Sequence, residues 1–263
     1  ILLMWIGELV TEFGIGNGVS ILIFAGIVAS LPQTASQLAF AFTDPAQLPV
    51  YIGFLFVALA IIYAVVVMTE AERPVPITYA KQVRGGKTYG GSQSYLPLRL
   101  NQAGVIPIIF ALSILLFPQM VLNILSAFNL PWVPGAITKV NEVMSNQYFY
   151  GGAYFVLVFL FTFFYTAVTF DPDQISKNLQ RNGAFIPGIR PGSHTSEYLG
   201  NLITRLTLVG AGFLAMVAVL PVGMQLLTGV ASLAIGGTAL LIVVSVVLDL
   251  IRRVDAQVSL REY

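Results

Sequence analysis

The chain has 263 residues, of which 57% are hydrophobic and only 10% are charged, and its formal net charge is +1. An ordinary soluble domain carries roughly a quarter charged residues, so this composition is typical of a membrane protein and excludes a string of soluble domains. The absence of cysteine excludes disulfides and thiolate metal sites.

Apolar stretches predict about six membrane spans in one all-α domain over residues 1–263, because a bilayer core of about 30 Å needs roughly 20 helical residues. Residues 19–31 are apolar but stop at Pro32, so this segment is predicted to be short. It either continues irregularly towards Phe42 or lines a water-filled funnel. The other candidate spans are residues 50–68, 105–122, 150–170, 206–220 and 233–251. We therefore predict a polytopic membrane helix bundle.

The segments between the spans are predicted to be loops. Residues 1–6 are interpreted as the end of an earlier membrane helix, because the chain opens without an initiator Met or a basic leader. Residues 7–18 are predicted to be a loop, and the glycine-rich run at its end, residues 14–18, is interpreted as a flexible hinge. Two further loops are predicted, at residues 123–147, which are rich in Pro, Asn and Trp, and at the short link 221–232.

Basic residues predict the orientation of the chain, because Lys and Arg accumulate in cytoplasmic loops. Residues 69–100, residues 171–205 and the C-terminal tail hold all but one of the 13 Lys and Arg. The exception, Lys139, falls between spans on the opposite side. We therefore predict that both basic loops and the C-terminus are cytoplasmic, as alternation of six spans also requires.

The first basic loop contains a predicted hairpin at residues 78–89, with Arg84-Gly85-Gly86-Lys87 at its turn. Its basic tip can meet an acidic protein or RNA phosphates, and the alternative is an ordinary positive-inside loop. Gly86-Lys87-Thr88 imitates the end of a phosphate-binding loop, but Lys81 stands where that motif needs its first glycine.

The second basic loop presents Arg190 between two Pro-Gly pairs, at Pro187 and Pro191. Such pairs favour a stiff, extended backbone, from which the planar guanidinium can clamp a carboxylate or backbone carbonyls. The alternative is a solvated arginine. His194, the only histidine, is predicted to be a solvated loop residue, since a lone His forms neither a metal site nor a nucleophile–base pair.

The cores of the predicted spans contain no charged residue and no histidine, since Arg205 and Asp249 lie towards helix ends. Coupled transporters usually place such groups near the membrane midplane, so coupled transport is disfavoured. Because no acid–base pair is visible, we predict neither an enzyme nor a cofactor. A small-solute transporter and a structural scaffold for a membrane complex remain the alternatives.

Several strings resemble the SecY family, which forms the pore of the bacterial protein-conducting channel. They occur in the family's order along the whole chain, at residues 11–20, 79–81, 96–107, 185–192 and 204–207. The resemblance implies a ten-helix protein of two pseudo-symmetric halves, of which this chain holds the end of helix four and helices five to ten. Without the first four helices, the plug and one side of the lateral gate, the chain is not expected to close a channel alone.

The resemblance also implies a function, the passage of unfolded polypeptides across the bacterial plasma membrane and of membrane segments sideways into it. A ring of aliphatic side chains would seal the pore, because an apolar constriction dewets and stops ions. The positions that match the ring are Val19, Ile23, Ile109 and Ile242. Without the resemblance, these residues are better explained by packing or contact with lipid.

Partners follow from the same resemblance. Arg190, Arg84 and Lys87 would dock the SecA motor or the ribosome, and SecE and SecG would be small helical partners. Residues 105–122 and 150–170 would line the lateral gate, with Asn101 and Gln102 near its cytoplasmic mouth. Signal sequences, nascent chains and membrane lipid would be the other contacts.

Overall fold

The computed structural model describes residues 1–13, 18–41, 48–80, 82–84, 87–89, 93–104, 106–128, 131, 133–228, 242–244, 246–248, 250–251, 254 and 258. The described chain is mostly helical, as predicted. Its helices are α1 (Leu2–Phe13), α2 (Gly18–Ala41), α3 (Leu48–Glu70), α4 (Ile106–Ser126), α5 (Val133–Ser145), α6 (Gln147–Thr169), α7 (Pro172–Arg181) and α8 (Ser193–Thr228). Its strands are β1 (Glu72–Tyr79), β2 (Gln82–Arg84), β3 (Lys87–Tyr89), β4 (Gln93–Arg99) and β5 (Ala184–Phe185).

Among the described residues, three helical stretches are long and apolar enough to cross a membrane: Ile106–Ser126, Gln147–Arg181 and Ser193–Leu226. A shorter apolar helix covers Leu55–Glu70 within α3. These stretches correspond to four of the predicted spans. The predicted last span, residues 233–251, lies partly outside the described residues, although residues 242–244, 246–248 and 250–251 are helical.

The start of the chain corrects two sequence predictions. Residues 7–13 are helical rather than a loop, because Gly7 is buried against α2 and the Thr11 hydroxyl bonds back to the Gly7 carbonyl. Residues 14–17 of the predicted hinge lie outside the described residues. The predicted stop at Pro32 is also wrong: the segment does continue towards Phe42, but as one regular helix, since α2 runs through Pro32 to Ala41. Its 24 residues reach about 36 Å, and one proline removes a single backbone N–H donor from a helix of this length.

Two further predicted loops contain helix. Residues 133–145 form α5, whose Asn141 accepts a hydrogen bond at 3.4 Å from Gln119 of α4. The predicted link at residues 221–232 is helical as far as Thr228, and Pro221 lies inside α8. α7 and the start of α8 lie within the second basic loop. Apolarity identified the long hydrophobic helices and missed these more polar segments.

The chain forms two compact units. Unit 1 comprises Ile1–Val67, Leu112–Phe155 and Met216–Tyr263, and unit 2 comprises Met68–Ala111 and Val156–Ala215. In unit 1, α1 packs on α2, and Gly151 of α6 lies close to Val219 and Val222 of α8. Unit 2 contains the five strands, α7, and parts of α4, α6 and α8. Both basic loops therefore lie in the same unit.

Candidate docking surface and pore residues

The first basic loop is built on an antiparallel pair of strands, β1 and β4, in which Val75 lies opposite Leu96. Val75, Ile77 and Leu98 are buried, so one face of the pair packs inwards. Arg99 and Glu72 close the base of the pair with an exposed ion pair at 3.3 Å. An exposed pair of this kind contributes little stability, so the apolar face holds the strands in place.

Prolines interrupt the outer sides of the β1–β4 pair, where β5 covers β1 only at Thr78 and Tyr79. Pro74 of β1 lies directly opposite Pro97 of β4, and neither residue has a backbone N–H. The two therefore form a non-hydrogen-bonded pair, whose backbone groups point away from the partner strand towards the sheet edges. This arrangement disfavours recognition by strand addition. A partner is better recognised through loop side chains.

The predicted hairpin tip is found as a second strand pair, β2 with β3, in which Arg84 lies opposite Lys87. Gly85 and Gly86, which follow Arg84 in the sequence, lie outside the described residues. The side chains of Arg84 and Lys87 are not described either. Their role in docking stays a prediction.

The second basic loop begins with a capped helix. Asp171 is the N-cap of α7, and its carboxylate accepts hydrogen bonds from the backbone N–H groups of Asp173 and Gln174 at 2.9 and 3.1 Å. Pro172 occupies the first helical position, where its missing N–H costs nothing. The cap fixes the point at which the chain turns away from the apolar helix α6.

A tight turn then leads to Arg190. Pro187 and Gly188 occupy its centre, and the Ile189 N–H donates to the Ile186 carbonyl at 3.1 Å. Gly188 has φ +85°, which is the conformation that a type II turn requires after proline. Arg190 follows at once, with an exposed side chain. The predicted stiff presentation of Arg190 therefore has a structural basis.

One hydrophobic cluster joins the two basic loops. Its buried members come from both strands of the first loop, from the second loop and from α8: Val75, Leu98, Ile186, Leu199 and Ile203. Ile175 of α7 and Ile189 of the turn pack against it. Strand β5 also pairs with β1, with Thr78 opposite Phe185. We call this assembly of β1, β4, β5, α7 and the first turns of α8 the loop platform.

The platform is connected to α4 by a short, ordered turn at the predicted gate mouth. The Asn101 side-chain oxygen accepts from the Gly104 N–H at 3.0 Å, and Gly104 has φ +63°. The amide of Asn101 is therefore already engaged within the turn, and Gln102 is half-buried. A role of these two residues in a lateral gate stays a prediction.

The predicted ring residues lie in different parts of the chain. Val19 and Ile23 occur one turn apart on α2, so they share a helix face. Val19 is exposed, Ile23 is half-buried and Ile242 is buried, all in unit 1. Ile109 is half-buried on α4 in unit 2. The assignment of these four residues to one ring stays a prediction.

Two buried hydroxyls escaped the sequence analysis. Ser176 and Thr195 are 3% and 2% exposed, and each donates a hydrogen bond to a backbone carbonyl of the Arg190 loop. No sequence motif marks them, because their partners are defined only by the fold. In the part of the chain that the structure describes, no group of three or more metal-binding side chains occurs.

Comparison with known proteins gives consistent matches. A family model described as SecY matches residues 1–251. Curated relatives named protein translocase subunit SecY include those of Thermotoga maritima, 42% identical over 99% of this chain, and Thermus thermophilus, 43% identical over all of it. The protein of Vibrio cholerae is 41% identical over 99% of the chain. The chain spans 58–59% of the length of these relatives.

Solved structures show the same fold. One structure, described as a protein-conducting channel, has a TM-score of 0.59 at 19% identity and matches 96% of this chain and 62% of its own. Another comes from work on the plug domain of SecY and the closed state of the translocation channel. It has a TM-score of 0.62 at 18% identity, over 96% of this chain and 63% of its own.

Proposed function

The chain belongs to the SecY family, and on that basis we propose that it forms part of a protein-conducting channel subunit. The channel passes unfolded polypeptides across the bacterial plasma membrane and releases membrane segments sideways into lipid. The observation that carries the proposal is the family match over residues 1–251, which includes the apolar helices and both basic loops. The chain has no enzymatic role in this proposal, so partners supply the energy.

The loop platform is the proposed docking surface for those partners, either the SecA motor or the ribosome. Arg190 is the central contact, and Arg84 and Lys87 at the hairpin tip are the next. Two observations support this assignment. The Arg190 side chain is exposed on a tightly held turn, and both loops share one hydrophobic cluster. A guanidinium held in this way suits bidentate bonds to carboxylates or phosphates.

The pore and the gate involve the apolar helices. Val19, Ile23, Ile109 and Ile242 form a ring that dewets at rest and deforms around a passing chain. Helices α4 and α6 line one side of the lateral gate, with Asn101 and Gln102 near its mouth. The stacking of Phe110 on Phe161, with ring centroids 5.9 Å apart, supports α4 and α6 as one wall.

The proposed location is the bacterial inner membrane, with both basic loops and the C-terminus in the cytoplasm. SecE and SecG are the proposed small membrane partners. The distribution of Lys and Arg supports this orientation, since a single one of the 13 falls outside the basic segments.

Arg190→Glu in the full-length channel complex tests the docking role. We expect motor-driven translocation into membrane vesicles to fall at least about tenfold, because charge reversal at an interface replaces attraction by repulsion. Arg181→Glu is the matched control, since Arg181 is an exposed arginine at the end of α7 in the same unit.

The proposal predicts near-normal translocation for Arg181→Glu and normal membrane insertion for both variants. Normal translocation by Arg190→Glu would contradict the docking role of Arg190. Equal losses in the two variants would show that the platform responds to net charge, with no special contact at Arg190.

A further inference from the structure

We infer that Ser176 and Thr195 are positioning residues that hold Arg190 ready for its partner. The inference rests on the proposed docking role of Arg190 and adds two residues to it. Neither residue is a basic or exposed contact, and both act through the backbone of the loop that carries Arg190. The two hydroxyls come from different helices, α7 and α8, on either side of that loop.

The two hydrogen bonds hold the backbone from Arg190 to Gly192. The Thr195 hydroxyl donates to the carbonyl of Arg190 itself at 2.9 Å. The Ser176 hydroxyl donates to the Gly192 carbonyl at 2.7 Å, from a residue 16 positions earlier in the chain. Pro191 lies between the two acceptors. The backbone on both sides of Pro191 is therefore tied to a helix.

These hydroxyls differ from three threonine hydroxyls in the membrane-directed helices of unit 2. Thr162, Thr166 and Thr204 each donate to a carbonyl four residues earlier in their own helix, which satisfies the hydroxyl without linking two elements. Ser176 and Thr195 instead donate out of their helices into the loop. A buried hydroxyl must find a partner, and here the loop carbonyls are those partners.

The loop needs such restraints because glycines stand at both of its turns. Gly188 and Gly192 have φ +85° and +103°, and a glycine has no intrinsic preference for one such conformation. The ends of the loop are tied as well, since the Ser196 hydroxyl donates to the Asp173 carboxylate. Ile189 packs on the hydrophobic cluster immediately before Arg190. With its backbone held, Arg190 keeps freedom only in its side chain.

A held loop lowers the entropy that is lost when a partner binds. Removing one hydroxyl therefore weakens the affinity of the partner but leaves the chemistry of the guanidinium unchanged. The motor concentration at half-maximal translocation should rise, while the rate at saturating motor should stay close to wild type. We expect a rise of about fivefold, the scale of one buried hydrogen bond.

The experiment is a titration of the SecA motor against vesicles that contain the full-length channel complex. Thr195→Val removes the hydroxyl at nearly constant volume, Thr195→Ser keeps it, and Ser176→Ala removes the other. Thr204→Val is the control, because the Thr204 hydroxyl bonds within its own helix at Gly200. We expect half-maximal concentrations to rise for Thr195→Val and Ser176→Ala only.

Arg190→Glu is included in the same titration to separate the two proposals. If Arg190→Glu abolishes translocation and Thr195→Val leaves the titration unchanged, the positioning role is overturned and docking stands. If Arg190→Glu has no effect, the docking role fails. Thr195→Ser keeps the hydroxyl. If it is as defective as Thr195→Val, the positioning role is also overturned.

A measurement without any partner tests the positioning role directly. Because this chain has no cysteine, a nitroxide can be attached at Arg190→Cys without a competing label in the chain. We expect Thr195→Val and Ser176→Ala to narrow the electron paramagnetic resonance spectrum of this label, because the loop gains mobility. Unchanged line widths would overturn the positioning role whatever the translocation assay shows.

Discussion

At the scale of single residues, Gly210 of α8 lies close to the backbone at the end of the first basic loop. A Cβ at this position would lie 2.5 Å from the Leu100 carbonyl oxygen and 3.4 Å from its carbon. Both are backbone atoms, which cannot rotate away. The Leu100 N–H is in turn bonded to the Ala71 carbonyl at 3.0 Å, so the strand has little room to shift. Only glycine fits here.

Gly210→Ala should therefore destabilise the protein by about 1–3 kcal/mol, the usual cost of overpacking. The measurement is the melting temperature of the detergent-solubilised channel complex. Gly212→Ala is the matched control, since a Cβ at Gly212 meets nothing within 4 Å in the same helix. Alanine favours helix over glycine, so the control should not lower the melting temperature. Equal losses in the two variants would contradict the packing argument.

At the scale of elements, α1 and α2 meet at a close joint in unit 1. The Thr11 hydroxyl donates to the Gly7 carbonyl and accepts from the Gly18 N–H, both at 2.8 Å. A Cβ on Gly18 would overlap the Gly7 carbonyl oxygen and lie 2.8 Å from the Val10 Cβ. This joint fixes the first turn of α2, one residue before Val19.

Gly18→Ala should force the start of α2 away from α1. We expect faster protease cleavage between the two helices in the detergent-solubilised complex, because the Thr11 hydrogen bonds would be broken. Gly26→Ala serves as the comparison, since a Cβ at Gly26 of α2 meets nothing within 4 Å. Unchanged cleavage of the Gly18→Ala variant would show that the joint adjusts without opening.

At the scale of the whole molecule, the proposed orientation places Lys139 and Lys177 on opposite sides of the membrane. Single-cysteine variants at these two positions can be labelled with a membrane-impermeant maleimide in vesicles of known orientation. Both side chains are exposed, so burial does not limit the reaction. We expect Lys177→Cys to react from the cytoplasmic side and Lys139→Cys from the other. Labelling of both from one side would refute the orientation.

The proposed apolar seal of the pore gives a second prediction for the whole molecule. Ile109→Asn or Ile242→Asn in the complete channel should raise the resting ion conductance, because a polar side chain wets an apolar constriction. Ile114→Asn places the same change elsewhere on α4, at an exposed isoleucine, and should leave the channel closed. An unchanged resting conductance in the ring variants would remove these isoleucines from the seal.

The features that the sequence alone determined are those that depend on local properties of the chain. Apolarity and length are local properties of one stretch of chain, so the sequence correctly predicted the helices α4 and α6. Turn chemistry is equally local. It located the hairpin around Gly85-Gly86, where Arg84 and Lys87 pair, and the stiff turn that precedes Arg190. The resemblance to SecY rested on such strings, and the family match confirmed it.

The tertiary structure decided everything that depends on contacts between distant residues. α1 extends past Gly7 because that glycine packs against α2, and no local signal in residues 7–18 shows this contact. The two basic loops form one platform because Val75 and Ile186 meet in the same cluster on α8. The hydroxyls of Ser176 and Thr195 likewise reach the Arg190 loop only because the fold brings α7 and α8 next to it. Spacing along the chain cannot reveal such partners, because folding alone brings them within hydrogen-bond distance.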